Sequence, residues 1–179
     1  TVEALRCHPS IGCWVPFNEG WGQFDAAAAS QKLRTLDPGR LVDEASGWFD
    51  QGGGDVDSRH NYFYPLRVKP GVRTVALSEY GGIAWPMPGH EPPGKTYGYG
   101  VARDRKDLTA RYQKLQLKTV LPQLRNGLSA LVYTQLTDVE DEVNGLFTYD
   151  RTELKPDVTA IRSINAALAA EFARVTAES

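Results

Sequence analysis

The chain has 179 residues, a net charge of −2, 41% hydrophobic residues and 23% charged residues. This length is sufficient for one domain with a hydrophobic core. The near-neutral charge argues against nucleic acid and anionic membranes as partners, and no apolar run approaches the ~20 residues of a membrane span. We therefore expect residues 1–179 to form a single globular domain with neither partner.

Strand and helix patterns alternate along the first half of the chain. Residues 10–17 are mostly apolar and predict a buried strand. An alanine-rich helix is predicted from Phe24 to Leu36, where Asp37-Pro38-Gly39 ends it. Three further strands are predicted at Leu41–Ala45, Asp55–Tyr64 and Arg73–Ser78.

The second half continues the alternation after a long loop. Residues 84–100 contain four Pro and four Gly, and a loop of this length is typical of a lid or a binding wall. A helix is predicted at Asp107–Leu124, a strand at Leu128–Thr134 and a terminal helix at Pro156–Val175. Alternating strands and helices favour an α/β fold with a parallel sheet.

Two glutamates follow predicted strands. Asn18-Glu19 comes after the first strand, and Glu79 comes after Arg73–Ser78. A carboxylate at the mouth of a buried strand is costly unless it has a use. Retaining glycosidases use two carboxyl groups about 5–5.5 Å apart, one to protonate the leaving oxygen and one to attack the anomeric carbon. The alternatives are a helix-dipole contact for Glu19 and a solvated strand end for Glu79.

Other polar and aromatic residues fall at the same predicted strand ends. His60 offers a hydrogen bond to a sugar hydroxyl, and Tyr62 offers one to the attacking carboxylate. The alternative for His60 is a packed, hydrogen-bonded core histidine. Trp48 and Trp85 follow strand ends and are candidates for stacking on a sugar ring, whereas Trp14 lies within a strand and is assigned to the core.

The sequence indicates neither a metal nor a cofactor. The acidic residues between 138 and 142 lack the alternating oxygen ligands and central glycine of a calcium loop. They are interpreted as a solvated or Arg-paired loop. Cys7 and Cys13 are too few for a disulfide framework and are expected to be free, buried thiols, with a disulfide between them as the alternative.

Taken in order, these segments resemble glycoside hydrolase family 2, a group of retaining (β/α)8-barrel enzymes that includes β-galactosidases and β-glucuronidases. The matching segments run from the family's fourth barrel strand to its eighth: His8–Ile11 with Trp14 and Asn18–Gly22, Asp43–Trp48, Asp57–Tyr62, Ser78–Gly82, and Tyr133–Glu140 with Asn144-Gly145 and Tyr149–Arg151. The resemblance implies an incomplete TIM (β/α)8 barrel, roughly strands four to eight with their helices.

The resemblance also implies residue roles. Glu19 would be the general acid/base, Glu79 the nucleophile, and Asn18 the partner of the sugar 2-hydroxyl. His60 and Tyr62 would be pocket residues. Many family members carry a Trp on the eighth strand, but this chain reads Tyr133-Thr134-Gln135 there. The galactosidase specificity is therefore not transferred.

The family's first three barrel strands, its second-strand Arg and its accessory domains have no counterpart in the chain. We therefore expect the C-terminal portion of a larger β-galactosidase-like enzyme, whose partners are the missing barrel half, the accessory domains and a carbohydrate substrate. Five strands leave two open sheet edges, and a second copy of the chain would cover them in a homodimer. The isolated chain is expected to be inactive. The alternative is a non-catalytic carbohydrate-binding or structural fragment, and the sequence does not indicate a localisation.

Overall fold

Helices and strands are defined by a computed structural model that describes residues 1–63 and 65–178. Tyr64, the last residue of one predicted strand, lies outside the described residues. The helices are α1 (Val2–Leu5), α2 (Ala26–Leu36), α3 (Arg105–Lys114), a π-helical turn (Leu115–Val120), α4 (Leu121–Leu124) and α5 (Val158–Ala177). The strands are β1 (Cys13–Trp14), β2 (Leu41–Val42), β3 (Val56–Asn61), β4 (Thr74–Gly81) and β5 (Leu128–Thr134).

The chain divides into two compact units. Unit 1 comprises residues 1–60, 70–78 and 129–131, and unit 2 comprises residues 61–69, 79–128 and 132–179. Strands β3, β4 and β5 each contribute residues to both units. The assignment of residues 1–179 to one domain stays a prediction.

The strands form two small sheets instead of one barrel wall. β1 pairs with β2 in parallel, with Cys13 opposite Leu41 and Trp14 opposite Val42. The second sheet has three strands in the order β3-β4-β5. No barrel closes within the described residues, and the arrangement is not a clear piece of a (β/α)8 barrel. The prediction of an incomplete TIM barrel made of strands four to eight is therefore wrong.

Asp55 explains why the first sheet stops at β2. Its Oδ2 accepts a hydrogen bond from the Val42 amide at 2.7 Å, and its own amide donates to the Val42 carbonyl at 2.7 Å. Both backbone groups of Val42 are thus bonded by one residue, where a continuous sheet would supply a third strand. Arg34 holds the other Asp55 oxygen at 2.9 Å. The sequence pattern placed Asp55 inside a strand and did not reveal this role.

Unit 1 is built on α2 and the first sheet. Trp14 donates from Nε1 to Asp37 Oδ2 at 3.0 Å, so this indole ties β1 to the end of α2. Ala26 packs at the start of α2 with no exposed surface. Cys7 and Cys13 are free, as expected, but exposed, because neither side chain faces this core.

Two helices of unit 2, α3 and α5, begin at side-chain caps. Asp104 accepts a hydrogen bond from the Asp107 amide before α3, and Asp157 accepts one from the Ala160 amide before α5, each at 2.7 Å. Such caps satisfy amides that have no partner within the helix. Among the described residues, no helix is both long enough and apolar enough to cross a bilayer. The buried side chains of the unit 2 helices include Leu108, Tyr112, Gln116, Val120, Leu124, Ile164 and Leu168.

A fully buried lysine holds the loops of unit 2 together. Lys155 Nζ donates to Asp138 Oδ1 at 2.7 Å, to the Val143 carbonyl at 2.9 Å and to the Trp85 carbonyl at 3.1 Å. The Lys155 side chain is 0% exposed and that of Asp138 is 2% exposed. Burial raises the pKa of Asp138, and its hydrogen bond with Lys155 opposes the rise. Asp138 is thus buried against a lysine and does not belong to a solvated acidic loop.

Replacement of Lys155 by alanine is expected to destabilise the protein by about 3–5 kcal/mol, because it leaves the Asp138 carboxylate buried without its cation. Urea unfolding followed by circular dichroism measures the change. Lys106→Ala, at an exposed position of unit 2, is the control and should stay within about 0.5 kcal/mol of wild type. A loss at Lys155 no larger than that of the control would contradict the prediction.

Candidate functional site

Glu19 lies in unit 1 in a strained backbone conformation. Its φ is +53°, in the left-handed region, where a residue with a side chain costs roughly 1–2 kcal/mol. The Glu19 amide donates to the Ser46 carbonyl at 2.9 Å, and Asn18 forms a parallel bridge with Ser46. The segment that follows β2 therefore holds the Glu19 backbone in place.

The Glu19 side chain contacts a buried histidine. Glu19 Oε1 lies 2.7 Å from His60 Nδ1, and the two side chains are 21% and 1% exposed. Gly47 packs against the imidazole ring so closely that an added Cβ would lie 2.4 Å from His60 Cγ. The ring is therefore held in one orientation, with Nδ1 directed at the carboxyl group of Glu19.

Three serines lie behind this histidine, and we call Ser46, Ser58 and Ser78 the serine cluster. Ser46 Oγ is 3.0 Å from His60 Nε2 and donates to Ser78 Oγ at 3.1 Å. Ser58 Oγ lies 2.6 Å from Ser78 Oγ. Burial raises the pKa of the neighbouring Asp43, while hydrogen bonds with Ser58 and Ser46 oppose the rise. Both ring nitrogens of His60 thus have polar partners within unit 1.

Glu79 lies in unit 2 beside a tyrosine. Tyr62 donates from its hydroxyl to Glu79 Oε2 at 2.7 Å, and the same hydroxyl lies 3.0 Å from Thr134 Oγ1. Burial raises the pKa of Tyr62 far above its ordinary value, and the contact with Glu79 raises it further. The phenol therefore keeps its proton and remains a hydrogen-bond donor to the carboxylate.

Tyr62 belongs to a group of four aromatic rings that are in contact. We call Tyr62, Phe63, Tyr97 and Tyr99 the aromatic cluster. Tyr99 stacks on Tyr62 with centroids 3.9 Å apart and an interplanar angle of 10°. Phe63 and Tyr97 contact Tyr99 edge-on at 5.2 and 5.5 Å. Phe63 is 72% exposed and Tyr97 is 48% exposed. The cluster thus presents two accessible aromatic side chains: Phe63, which also contacts Tyr62 edge-on at 6.5 Å, and Tyr97, which contacts Tyr99.

Gly82 provides the space for the stacked pair. A Cβ at this position would lie 2.5 Å from Tyr99 Cδ2 and 3.2 Å from Tyr62 Cε1. The Gly82 amide donates to the Thr134 carbonyl at 2.9 Å, and the Gly82 carbonyl accepts from the Tyr99 amide at 2.8 Å. One glycine therefore links the end of β5 to the loop that carries Tyr99.

The structure places the predicted site residues in two groups. Glu19 and His60 are in contact in unit 1, and Glu79 and Tyr62 are in contact in unit 2. The hydroxyl of Tyr80, which directly follows Glu79, donates to Gln116 Oε1 at 3.1 Å.

The remaining predicted site residues are exposed or half-buried. Asn18 and Trp48 have exposed side chains in unit 1. Trp85 is half-buried in unit 2, where its backbone is bonded to Val143 and Lys155. Sequence reasoning missed the serine cluster and the ring contacts of Phe63, Tyr97 and Tyr99. A signal was available for two of the three serines, because Ser46 and Ser78 lie at predicted strand ends.

The fold is similar to that of a glycoside hydrolase. The similarity is to an agarase, AgWH50C, with a TM-score of 0.57 and 13% sequence identity over 82% of this chain and 26% of the agarase chain. No family model matches the sequence, and no curated protein matches it. At this identity the similarity establishes the fold alone, and it gives no support to family 2 in particular.

Gly82→Ala is expected to destabilise the protein by about 1–3 kcal/mol through overpacking, beyond the cost of its positive φ. Gly22→Ala is the matched control, since Gly22 has a φ of +61° with open space around it and Gly82 has a φ of +59°. The difference between the two unfolding free energies isolates the clash with Tyr62 and Tyr99. Equal losses would show that the aromatic stack does not depend on Gly82.

Proposed function

We propose that this chain carries the catalytic glutamates of a retaining β-glycosidase, with Glu79 as the nucleophile and Glu19 as the general acid/base. The observation that carries the proposal is that each glutamate has its own partner, His60 for Glu19 and Tyr62 for Glu79. The fold similarity to an agarase supports the same class of reaction. The mechanism requires the two carboxyl groups to approach within about 5–5.5 Å of each other around the substrate.

Tyr62 suits Glu79 to nucleophilic attack. A phenol that keeps its proton donates to Glu79 Oε2 and leaves the carboxylate in a fixed orientation. In the first step a carboxylate oxygen bonds to the anomeric carbon, the glycosidic C–O bond breaks, and the leaving oxygen takes a proton from Glu19. The product of this step is a glycosyl ester on Glu79.

In the second step Glu19 acts as a base instead of an acid. Loss of the negative charge on Glu79 favours the ionised form of Glu19, which takes a proton from water as the water attacks the ester. His60 keeps the Glu19 carboxyl group in place through both steps, because its ring is buried and packed against Gly47. The sugar and Glu79 carboxylate are released, and Glu19 again carries the proton.

The aromatic cluster supports a carbohydrate as the substrate. Sugar rings have apolar C–H faces that pack on aromatic rings, and Phe63 and Tyr97 are exposed next to the Tyr62–Tyr99 stack. Trp48 and Trp85 are further candidates for stacking, and Asn18 for the sugar 2-hydroxyl. A β-galactosidase-like specificity and membership of family 2 rest on the sequence resemblance alone.

Non-catalytic carbohydrate binding is the second candidate, because the aromatic cluster requires neither glutamate to hold a sugar.

The chain spans 26% of the agarase chain. We therefore propose that hydrolysis requires the complete gene product and not this chain alone, and assays should compare the two. A homodimer also remains a proposal.

Glu19→Ala is expected to slow hydrolysis of substrates with poor leaving groups by about 10²–10⁴-fold, because protonation of the leaving oxygen is lost. Nitrophenyl β-glycosides should be affected less, since their leaving groups need little protonation. Azide should restore turnover of the nitrophenyl substrates by attacking the glycosyl ester without a general base. Steady-state rates with and without azide measure the effect.

Glu79→Gln is the companion variant and should lower turnover of every substrate by about 10³-fold or more. Rescue by azide at Glu79→Ala but not at Glu19→Ala would reverse the two roles. Sugar binding that survives both substitutions, together with an absence of hydrolysis in the unsubstituted gene product, would establish the non-catalytic alternative.

Phe63→Ala and Tyr97→Ala are each expected to raise KM three- to tenfold with little change in kcat, equivalent to a loss of ~0.5–1.5 kcal/mol of stacking. Phe172→Ala and Tyr149→Ala are the controls, because these residues are 39% and 46% exposed and lie outside the aromatic cluster. An equal change in KM in the controls would remove the aromatic cluster from the substrate site.

A further inference from the structure

Phe49 is an exposed aromatic residue in a costly backbone conformation. Its φ is +56°, in the left-handed region, where a bulky residue is rare, and the residue is 70% exposed. Two hydrogen bonds anchor this segment of unit 1. Gln23 Nε2 donates to the Phe49 carbonyl at 3.0 Å, and Arg73 donates to the carboxylate of the next residue, Asp50, at 3.1 Å. An aromatic side chain that is strained, exposed and anchored suggests contact with a ligand.

The ring of Phe49 packs on the backbone beside Glu19. A Cβ at Gly20 would lie 2.7 Å from both Cδ2 and Cε2 of Phe49, so this edge of the ring touches the glycine. Only glycine permits an approach this close, and its φ of +78° also favours glycine. Since Gly20 directly follows Glu19, the exposed part of the Phe49 ring lies next to the proposed acid.

Trp21 is a second exposed aromatic residue at the same place in unit 1. It follows Gly20 directly and is 80% exposed. Its amide donates to the Asn18 carbonyl at 2.9 Å, which closes a turn around Glu19 and Gly20. Phe49 and Trp21 thus adjoin the same glycine, and exposed aromatic side chains beside a polar group are typical of a ligand-binding surface.

We propose that Phe49 and Trp21 form the subsite for the leaving group of the glycosidase reaction, and that this subsite takes a sugar ring. The substrate would then be an oligosaccharide or a polysaccharide. This inference rests on the proposed function of Glu19. The leaving oxygen takes its proton from Glu19, so the leaving group must lie beside Glu19 when the glycosidic bond breaks. The two aromatic side chains that adjoin Gly20 are in position to stack on it.

The acid itself favours a sugar over a phenol as the leaving group. Both present a flat apolar face to an aromatic ring. A phenol has a pKa of about 10 and leaves with little help from an acid, whereas a sugar hydroxyl is much more basic and needs the proton. Glu19 is held at a costly φ of +53°, and an acid positioned at that cost matters most for a poor leaving group.

The same subsite should hold an acceptor sugar in the second step. The acceptor oxygen then bonds to the anomeric carbon, the ester bond to Glu79 breaks, and the hydroxyl proton passes to Glu19. Water and the acceptor use the same base. The partition between hydrolysis and transfer therefore depends on how well the acceptor binds and not on how well Glu19 is positioned. This partition distinguishes a subsite residue from one that only supports Glu19.

The test measures this partition in the complete gene product, with nitrophenyl β-galactoside and β-glucoside as donors and with cellobiose and methanol as acceptors. Methanol is too small to stack and provides the internal reference. The ratio of transfer to cellobiose over transfer to methanol is expected to fall by about three- to tenfold in Phe49→Leu and in Trp21→Leu. Phe49→Tyr keeps the aromatic face and should restore the ratio. Phe172→Ala, in α5 of unit 2, is the control.

Two outcomes overturn the subsite. One is a ratio in both leucine variants that equals that of the control. The other is a wild-type enzyme that transfers to methanol and not to cellobiose. Benzyl alcohol as a third acceptor tests the occupant. If the leucine variants lose transfer to benzyl alcohol and keep transfer to cellobiose, the subsite takes an aromatic leaving group and the sugar is excluded.

A binding measurement on the whole 15N-labelled chain separates this inference from the proposed function. Cellobiose is expected to shift the indole N–H signal of Trp21, which a Trp21→Phe spectrum assigns, and Phe49→Leu should weaken the binding by about three- to tenfold. Trp14, whose indole is bonded to Asp37, is the internal reference.

The two proposals can fail independently of each other. A Trp21 signal that responds to cellobiose, in a protein whose complete gene product hydrolyses no glycoside, retains sugar binding at this surface and removes the glycosidase proposal. Glutamate-dependent hydrolysis with a Trp21 signal that does not respond removes the subsite and leaves the glycosidase proposal in place.

Discussion

Ser46 uses each of its polar atoms to hold the Glu19 side of the structure. Its amide donates to the Phe17 carbonyl, its carbonyl accepts from the Glu19 amide, and its hydroxyl contacts His60 Nε2. A buried polar group is costly unless it is bonded, so these contacts fix the segment after β2 against the segment after β1. The positive φ of Glu19 is tolerated because the surrounding bonds leave its backbone no alternative.

Unit 2 achieves the same rigidity by a different kind of interaction. The Lys155 ammonium has three hydrogens and three acceptors, and two of those acceptors are backbone carbonyls of separate loops. A bond from a fully charged donor in a dry interior is strong, but only while every partner is present. The loop that begins at Trp85 is therefore fixed where it leaves β4, and Gly82 links the end of β5 to Tyr99 farther along that loop.

Residue patterns predicted the long elements well and the short ones poorly. β5 lies at Leu128–Thr134 as predicted, and α5 lies within two residues of its predicted ends, because apolar periodicity is strong over such lengths. β1 and β2 are two residues each, since apolar runs do not reveal that Asp55 replaces a neighbouring strand at Val42. The partners of Glu19 and of Ser46 depend on contacts between distant segments, and local sequence carries no signal for such contacts.

The bonding of Val42 has a consequence for how the protein behaves in solution. A strand edge with free amides and carbonyls is a template on which another chain can pair, and proteins with such edges tend to aggregate. At the open side of β2, both backbone groups of Val42 are already bonded to Asp55, and Arg34 holds the Asp55 side chain in place. Asp55 therefore protects the β2 edge of the short first sheet from intermolecular strand addition at Val42.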